Sequence, residues 1–237
     1  METSVATPST SARYVAGPIH TISLLLILGA WTYLSWFAAG RIRVNLNPHR
    51  VPMYLLTLVS EWLVLAYVVA GVRRRRQPIS LVLGNRWSSG RQLLRDIGIA
   101  AAFWILSGGI LVLFARLLHI DASSSTVQFM LPHGALEFAL WAALSVSAGI
   151  CEETIFRGYL QRQFIAFTRS APVGIVLAAA AFGAAHAYQG WRMTILIGIY
   201  GLMFGILAYW RGTVRPGMIV HAWQDSFSGI VGSLLKH

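Results

Sequence analysis

The chain has 237 residues, of which 56% are hydrophobic and only 11% charged, and it carries a formal net charge of +11. A soluble domain carries roughly a quarter charged residues. This composition, with a mean hydropathy of +0.62, therefore excludes a water-soluble globular fold and points to a membrane protein.

In chain order, residues 1–18 are rich in Ser, Thr and Ala and read as a mobile tail. The apolar run at 19–40 is too long for a signal h-region and lacks a small-residue cleavage site, so it reads as a first span. Further apolar runs long enough for membrane helices follow at 52–71, 97–118, 135–157, 172–187, 193–210 and 216–234. The fold expected is all-α, a polytopic transmembrane helical bundle of about seven to eight membrane helices. It divides into the tail at 1–18, N-terminal membrane helices at 19–134, and a core of four membrane helices at 135–237. The polar connector at 72–96 is expected to hold a short surface helix near Ser89–Asp96.

That connector contains Arg73, Arg74, Arg75, Arg76, Arg86, Arg91 and Arg95, whereas the connector at 119–134 contains no Lys or Arg. The positive-inside rule places 72–96, and the N-terminus with it, in the cytoplasm. The three arginines at 41, 43 and 50 then fall on the opposite side. Arginines set between apolar runs serve membrane topology, so nucleic acid is not an expected partner. The basic connector is expected to contact anionic lipid.

Ionisable groups inside a bilayer are costly and mark function or pairing. Besides Glu61, Glu137 and Arg116, three groups stand out in the C-terminal half: Glu152, Glu153 and Arg157; His186; and His221 with Asp225. Glu153 and Arg157 are four apart, share a helix face and read as a structural ion pair. Glu152 lies about 100° around the helix from Glu153 and has no partner in its own segment. An unpaired buried carboxylate requires a metal, a histidine, a water or a proton. Phe182 and His186 share a face, as do His221 and Asp225. His186, His221 and one carboxylate would make a catalytic zinc set, with a second carboxylate free to take a proton from water. The pattern H-E-x-x-H is absent, so such ligands must converge from different helices. The serine pattern G-x-S-x-G is also absent, and Cys151, beside two carboxylates, reads as a packing residue.

Glu152-Glu153-x-x-x-Arg157, Phe182-x-x-x-His186 and His221-x-x-x-Asp225, in this order, resemble the motifs of the CPBP intramembrane metalloproteases. That family includes CAAX prenyl-endopeptidases and bacterial relatives linked to bacteriocin processing and self-immunity. The resemblance covers about 137–230, including EETIFRGYL and the stretch ending IVHAWQD. It implies a metal-dependent endopeptidase of a bacterial cytoplasmic membrane acting on a protein or peptide substrate. In that scheme Glu152 activates water, and His186 and His221, with Asp225, bind zinc or position the water. Glu153, Arg157 and Phe182 support the site. Asp225 departs from the Asn common in the CAAX-processing branch. A non-proteolytic scaffold or self-immunity factor is the alternative. A transporter is disfavoured because no internal repeat is visible.

Counting a 1.5 Å rise per residue from the cytoplasmic helix ends puts Glu152 about 15 Å deep, His186 about 21 Å and His221 about 9 Å. A single site requires these depths to agree.

Overall fold

Lipid offers backbone N–H and C=O groups no partners, so apolar runs fold as helices that satisfy their own. The structure is a computed structural model that describes residues 14–42, 50–120 and 130–234, and no strand occurs among them. Its helices are α1 (Pro18–Ile42), α2 (Arg50–Arg74), α3 (Ser80–Leu83), α4 (Gly90–Leu117), α5 (Gly134–Glu152), α6 (Gln161–Thr168), α7 (Ala171–Ala185), α8 (Trp191–Arg211) and α9 (Arg215–Leu234). A π-helical segment, Glu153–Leu160, joins α5 to α6 without a break. The tail expected at 1–18 lies outside the described residues as far as position 13, as do Arg43 and Lys236.

Five stretches among the described residues are long and apolar enough to cross a membrane: Pro18–Gly40, Arg50–Arg74, Gly90–Leu117, Gly134–Thr168 and Trp191–Arg211. The chain is thus an integral, multi-pass helical membrane protein. The run expected at 172–187 is the 15-residue α7, shorter than a full crossing. The last expected span, 216–234, is helical but too polar to join the five, because His221, Gln224 and Asp225 interrupt it.

Two expectations need correction. The helix expected at 135–157 continues unbroken to Thr168, because nothing between Arg157 and Thr168 terminates it. Its end comes at Arg169, in the left-handed region at φ 56°. The surface helix expected near Ser89–Asp96 is the beginning of α4, whose start is capped by Ser89 Oγ accepting from the Gln92 N–H at 3.4 Å. Arg116, expected within a span, does lie in the stretch Gly90–Leu117, exposed in the last turn of α4.

The C-terminal helices pack by small residues, as helices do where lipid removes the hydrophobic drive. A Cβ at Gly149 of α5 would lie 2.6 Å from the Met218 carbonyl and 3.1 Å from the Ala222 nitrogen of α9. One at Gly183 of α7 would lie 2.6 Å from the Thr194 carbonyl of α8. Both glycines mark places where two backbones nearly touch.

The N-terminal segment is tied to this core by polar contacts. Gln163, fully buried in α6, accepts from the backbone N–H of Val15 at 2.6 Å and of Ala16 at 3.3 Å. Its amide donates to Ala16 O at 3.1 Å and Thr21 Oγ1 at 2.6 Å.

Candidate functional site

The site forms where α5 ends, α7 ends and α9 crosses them. At Glu153 the backbone widens into the π segment, and the Gln161 N–H bonds five residues back to Phe156 O. A wider turn brings residues four apart closer to eclipse than in an α-helix. Glu153, Arg157 and Gln161 therefore line up toward α8.

Arg157 donates to Glu153 Oε1 at 2.9 Å and to the Gly201 carbonyl at 3.4 Å. Gln161 donates to the Gly205 carbonyl at 3.0 Å. Only glycine at 201 and 205 leaves room, since a Cβ at Gly201 would lie 3.3 Å from the Arg157 guanidinium and one at Gly205 2.8 Å from Gln161 Oε1. The guanidinium lies 4.0 Å above the Phe182 ring and 5.0 Å from that of Phe204. Buried Phe182 also meets His186, His221 and Phe156 with ring centroids 4.8, 6.1 and 5.0 Å away.

His186 is the residue that stops α7, at φ −101°. Its Nδ1 lies 2.9 Å from Phe182 O. A carbonyl can only accept, so Nδ1 carries the hydrogen and Nε2 presents a lone pair. His221 Nδ1 lies 3.1 Å from Glu153 Oε1, which is already paired with Arg157. By the same logic the neutral His221 ring presents Nε2 as an acceptor.

Both lone pairs face one carboxylate. Glu152 Oε2 lies 3.7 Å from His221 Nε2 and 4.0 Å from His186 Nε2, and it accepts no hydrogen bond. Asp225 Oδ2 lies 3.6 Å from His221 Nε2. Acceptors facing acceptors at this range require a proton, a water or a cation between them. The structure therefore gathers Glu152, Glu153, Arg157, Phe182, His186, His221 and Asp225. They meet despite the unequal depths counted from helix ends, because rise per residue fixes neither where a helix starts nor its tilt.

Glu61 of α2 joins them. Ser147 donates to its Oε2 at 2.7 Å, and it lies in the electrostatic field of Glu152, His221 and Asp225. Sequence reasoning noted Glu61 but gave it no site. The available signal was that it is the one charged residue in the run 52–71. Tyr188, two residues beyond His186, was missed altogether. Glu137 is elsewhere, 3.9 Å from Arg50 and accepting from His133 N at 2.7 Å.

No set of three His, Cys, Asp or Glu side chains among the described residues is arranged to hold a metal ion. The donor chemistry nevertheless suits zinc: two imidazole lone pairs and carboxylate oxygens face one another. At roughly 2.0–2.2 Å per ligand, tetrahedral donors sit about 3.3–3.6 Å apart. Within the set His186, His221 and Asp225, the His221 Nε2 to Asp225 Oδ2 separation of 3.6 Å is at the upper end of that range.

Residues 132–227 match the family model for type II CAAX prenyl endopeptidase, Rce1-like. The match spans less than half of the chain, so the segment is similar to that family. It is consistent with the CPBP resemblance, and the matched segment contains every gathered residue except Glu61. No curated protein and no solved structure matches the chain.

Proposed function

We propose that the chain is an intramembrane endopeptidase that hydrolyses a peptide bond of a protein or peptide substrate near the cytoplasmic face. The observation that carries this reading is Glu152: a half-buried carboxylate whose Oε2 has no hydrogen-bond partner among the described residues and faces the Nε2 atoms of two histidines inside a membrane bundle. The N-terminus lies in the cytoplasm of a bacterial inner membrane, a placement supported by the arginine-rich connector between α2 and α4.

In this mechanism Glu152 takes the proton of a water held beside His186 and His221 as the water oxygen bonds to the scissile carbonyl carbon. The carbonyl oxygen becomes an oxyanion. When the tetrahedral centre collapses, the C–N bond breaks and Glu152 returns the proton to the leaving amine. The products are a carboxylic acid, which ionises to a carboxylate by giving its proton to solvent, and an amine, and the base is restored. The Glu153–Arg157 pair holds His221 Nδ1, and the Phe182 carbonyl holds His186 Nδ1, so that both Nε2 atoms keep facing the water. His186, His221 and Asp225 are the residues that would hold zinc, which would supply positive charge to polarise the carbonyl.

An internally quenched farnesylated peptide ending in a CAAX sequence, with its unprenylated twin, tests the reading on purified protein in nanodiscs. Wild type is expected to cleave at least one of them. Glu152→Gln, which keeps shape and loses the base, is expected to lower kcat on the order of 10²–10⁴-fold with an unchanged melting temperature. Cleavage by Glu152→Gln at the wild-type rate removes Glu152 from the chemistry. Metal analysis of wild type beside the double variant His186→Ala/His221→Ala tests the zinc set. The set is upheld by a stoichiometric zinc lost in the variant, and rejected by equal zinc, or none, in both.

A further inference from the structure

An oxyanion forming in a low-dielectric site needs a hydrogen-bond donor already in place. The gathered side chains are rich in acceptors. Glu152, Asp225 and Glu61 are carboxylates, and His221 Nε2 is taken up between two of them, 3.7 Å from Glu152 and 3.6 Å from Asp225. The Arg157 guanidinium is 1% exposed, committed to Glu153 and the Gly201 carbonyl, and sandwiched by Phe182 and Phe204. The Tyr200 ring is buried against Phe204, with ring centroids 4.5 Å apart.

Tyr188 differs from all of these. It sits in the 3₁₀ turn Ala187–Gln189 that follows directly from His186. The turn is rigidly built: Gln189 N bonds to His186 O and Gly190 N to Ala187 O, both at 3.0 Å. Gly190 closes it at φ 100°, a conformation that favours glycine. The Gln189 side-chain amide donates to the Tyr188 hydroxyl at 3.1 Å. That bond occupies an oxygen lone pair and leaves the hydroxyl hydrogen undonated among the described residues. The Tyr188 and His186 ring centroids are 6.2 Å apart with 30° between the planes, and the phenol lies in the field of Glu152, Asp225 and Glu61.

We propose that Tyr188 is a catalytic hydrogen-bond donor that holds the oxyanion of the tetrahedral intermediate, with Gln189 positioning its hydroxyl. The inference rests on the hydrolase reading above. It adds a residue lying outside the three charged motifs and contributed by the turn between α7 and α8. Tyr188 gives up no proton in the cycle: its O–H donates a hydrogen bond as the carbonyl oxygen gains charge, and relaxes when the C–N bond breaks.

The test uses the full chain in nanodiscs with the same quenched peptides. Tyr188→Phe keeps the ring and removes only the hydroxyl. Its kcat is expected to fall about 10²–10³-fold, the loss typical of one oxyanion donor, with KM and melting temperature unchanged. Gln189→Ala is expected to give a smaller loss, again in kcat. A peptide aldehyde, whose hydrate mimics the tetrahedral centre, is expected to bind Tyr188→Phe more weakly by the same factor. Wild-type kcat in Tyr188→Phe overturns the proposal while leaving the hydrolase reading intact, as does a change confined to KM. Failure of wild type to cleave either peptide removes the hydrolase reading, and this inference with it.

Discussion

Gly149 should be the most sensitive small residue in the molecule for activity, and the structure says by how much. It lies three residues before Glu152 on α5, and it touches α9 at Met218 and Ala222, which bracket His221. In Gly149→Ala the new Cβ would sit 2.6 Å from the Met218 carbonyl oxygen. Ordinary contact begins at 3.4 Å, so the two backbones must part by about 0.8 Å. Neither partner is a flexible side-chain tip that could swing aside. The displacement falls directly on the 3.7 Å separation between Glu152 Oε2 and His221 Nε2. Overpacking of this kind costs roughly 1–3 kcal/mol of stability. A misplacement near 1 Å in a catalytic constellation costs on the order of 10²-fold in rate. The variant should therefore remain folded, with a modestly lowered melting temperature, and lose about two orders of magnitude in kcat on the quenched peptide. Gly98 of α4 has nothing near its Cβ position, so Gly98→Ala serves as the matched control with unchanged rate. A Gly149→Ala protein with wild-type kcat would refute the claim that backbone contact between α5 and α9 sets the site's geometry.

Two further variants probe the supports of the site. Arg157→Ala strands the Glu153 carboxylate in a buried setting, which costs roughly 3–5 kcal/mol; both melting temperature and activity should fall, and a stable but inactive protein would count against its holding role. In Gln163→Leu the backbone groups of Val15 and Ala16 lose their buried partners at roughly 1–3 kcal/mol each, so limited proteolysis should cut the N-terminal segment at least tenfold faster, and unchanged cleavage would show that the segment is anchored by packing alone.

The charged residues of the site were legible because a bilayer makes them expensive: Glu152, Glu153, Arg157, His221 and Asp225 stand out against apolar neighbours. Periodicity also assigned Glu153 to Arg157, and their 2.9 Å contact follows from i,i+4 spacing. The depths of these residues were not legible, because rise per residue says nothing of tilt or of where each helix begins. Tyr188 escaped because a tyrosine in a short turn has no periodic pattern and no charge cost. Glu61 escaped because its neighbour Ser147 is 86 residues away in sequence, and only the α2–α5 contact unites them. The π segment was equally hidden. Its residues are those of an ordinary amphipathic helix, and the extra residue per turn is imposed by the guanidinium and amide reaching the Gly201 and Gly205 carbonyls.

Two adjacent carboxylates end up with different tasks because a helix separates neighbours by about 100°. The Glu153 side chain is 1% exposed and that of Glu152 is 19% exposed, so one turns into the dry bundle and the other into the site's wetter side. His221 bridges them, with Nδ1 on Glu153 and Nε2 facing Glu152. Its orientation is thus decided on the dry side and used on the wet one. Arg157 donates to Glu153 Oε1, the same oxygen faces His221 Nδ1, and the pair thereby turns the ring so that Nε2 faces Glu152. Were Glu153 an amide donating to Nδ1, the neutral ring would carry its hydrogen on Nε2 and tie up the Glu152 carboxylate as a hydrogen-bond acceptor. The buried ion pair therefore contributes more than helix-to-helix adhesion. It fixes the orientation of the imidazole that meets the Glu152 carboxylate.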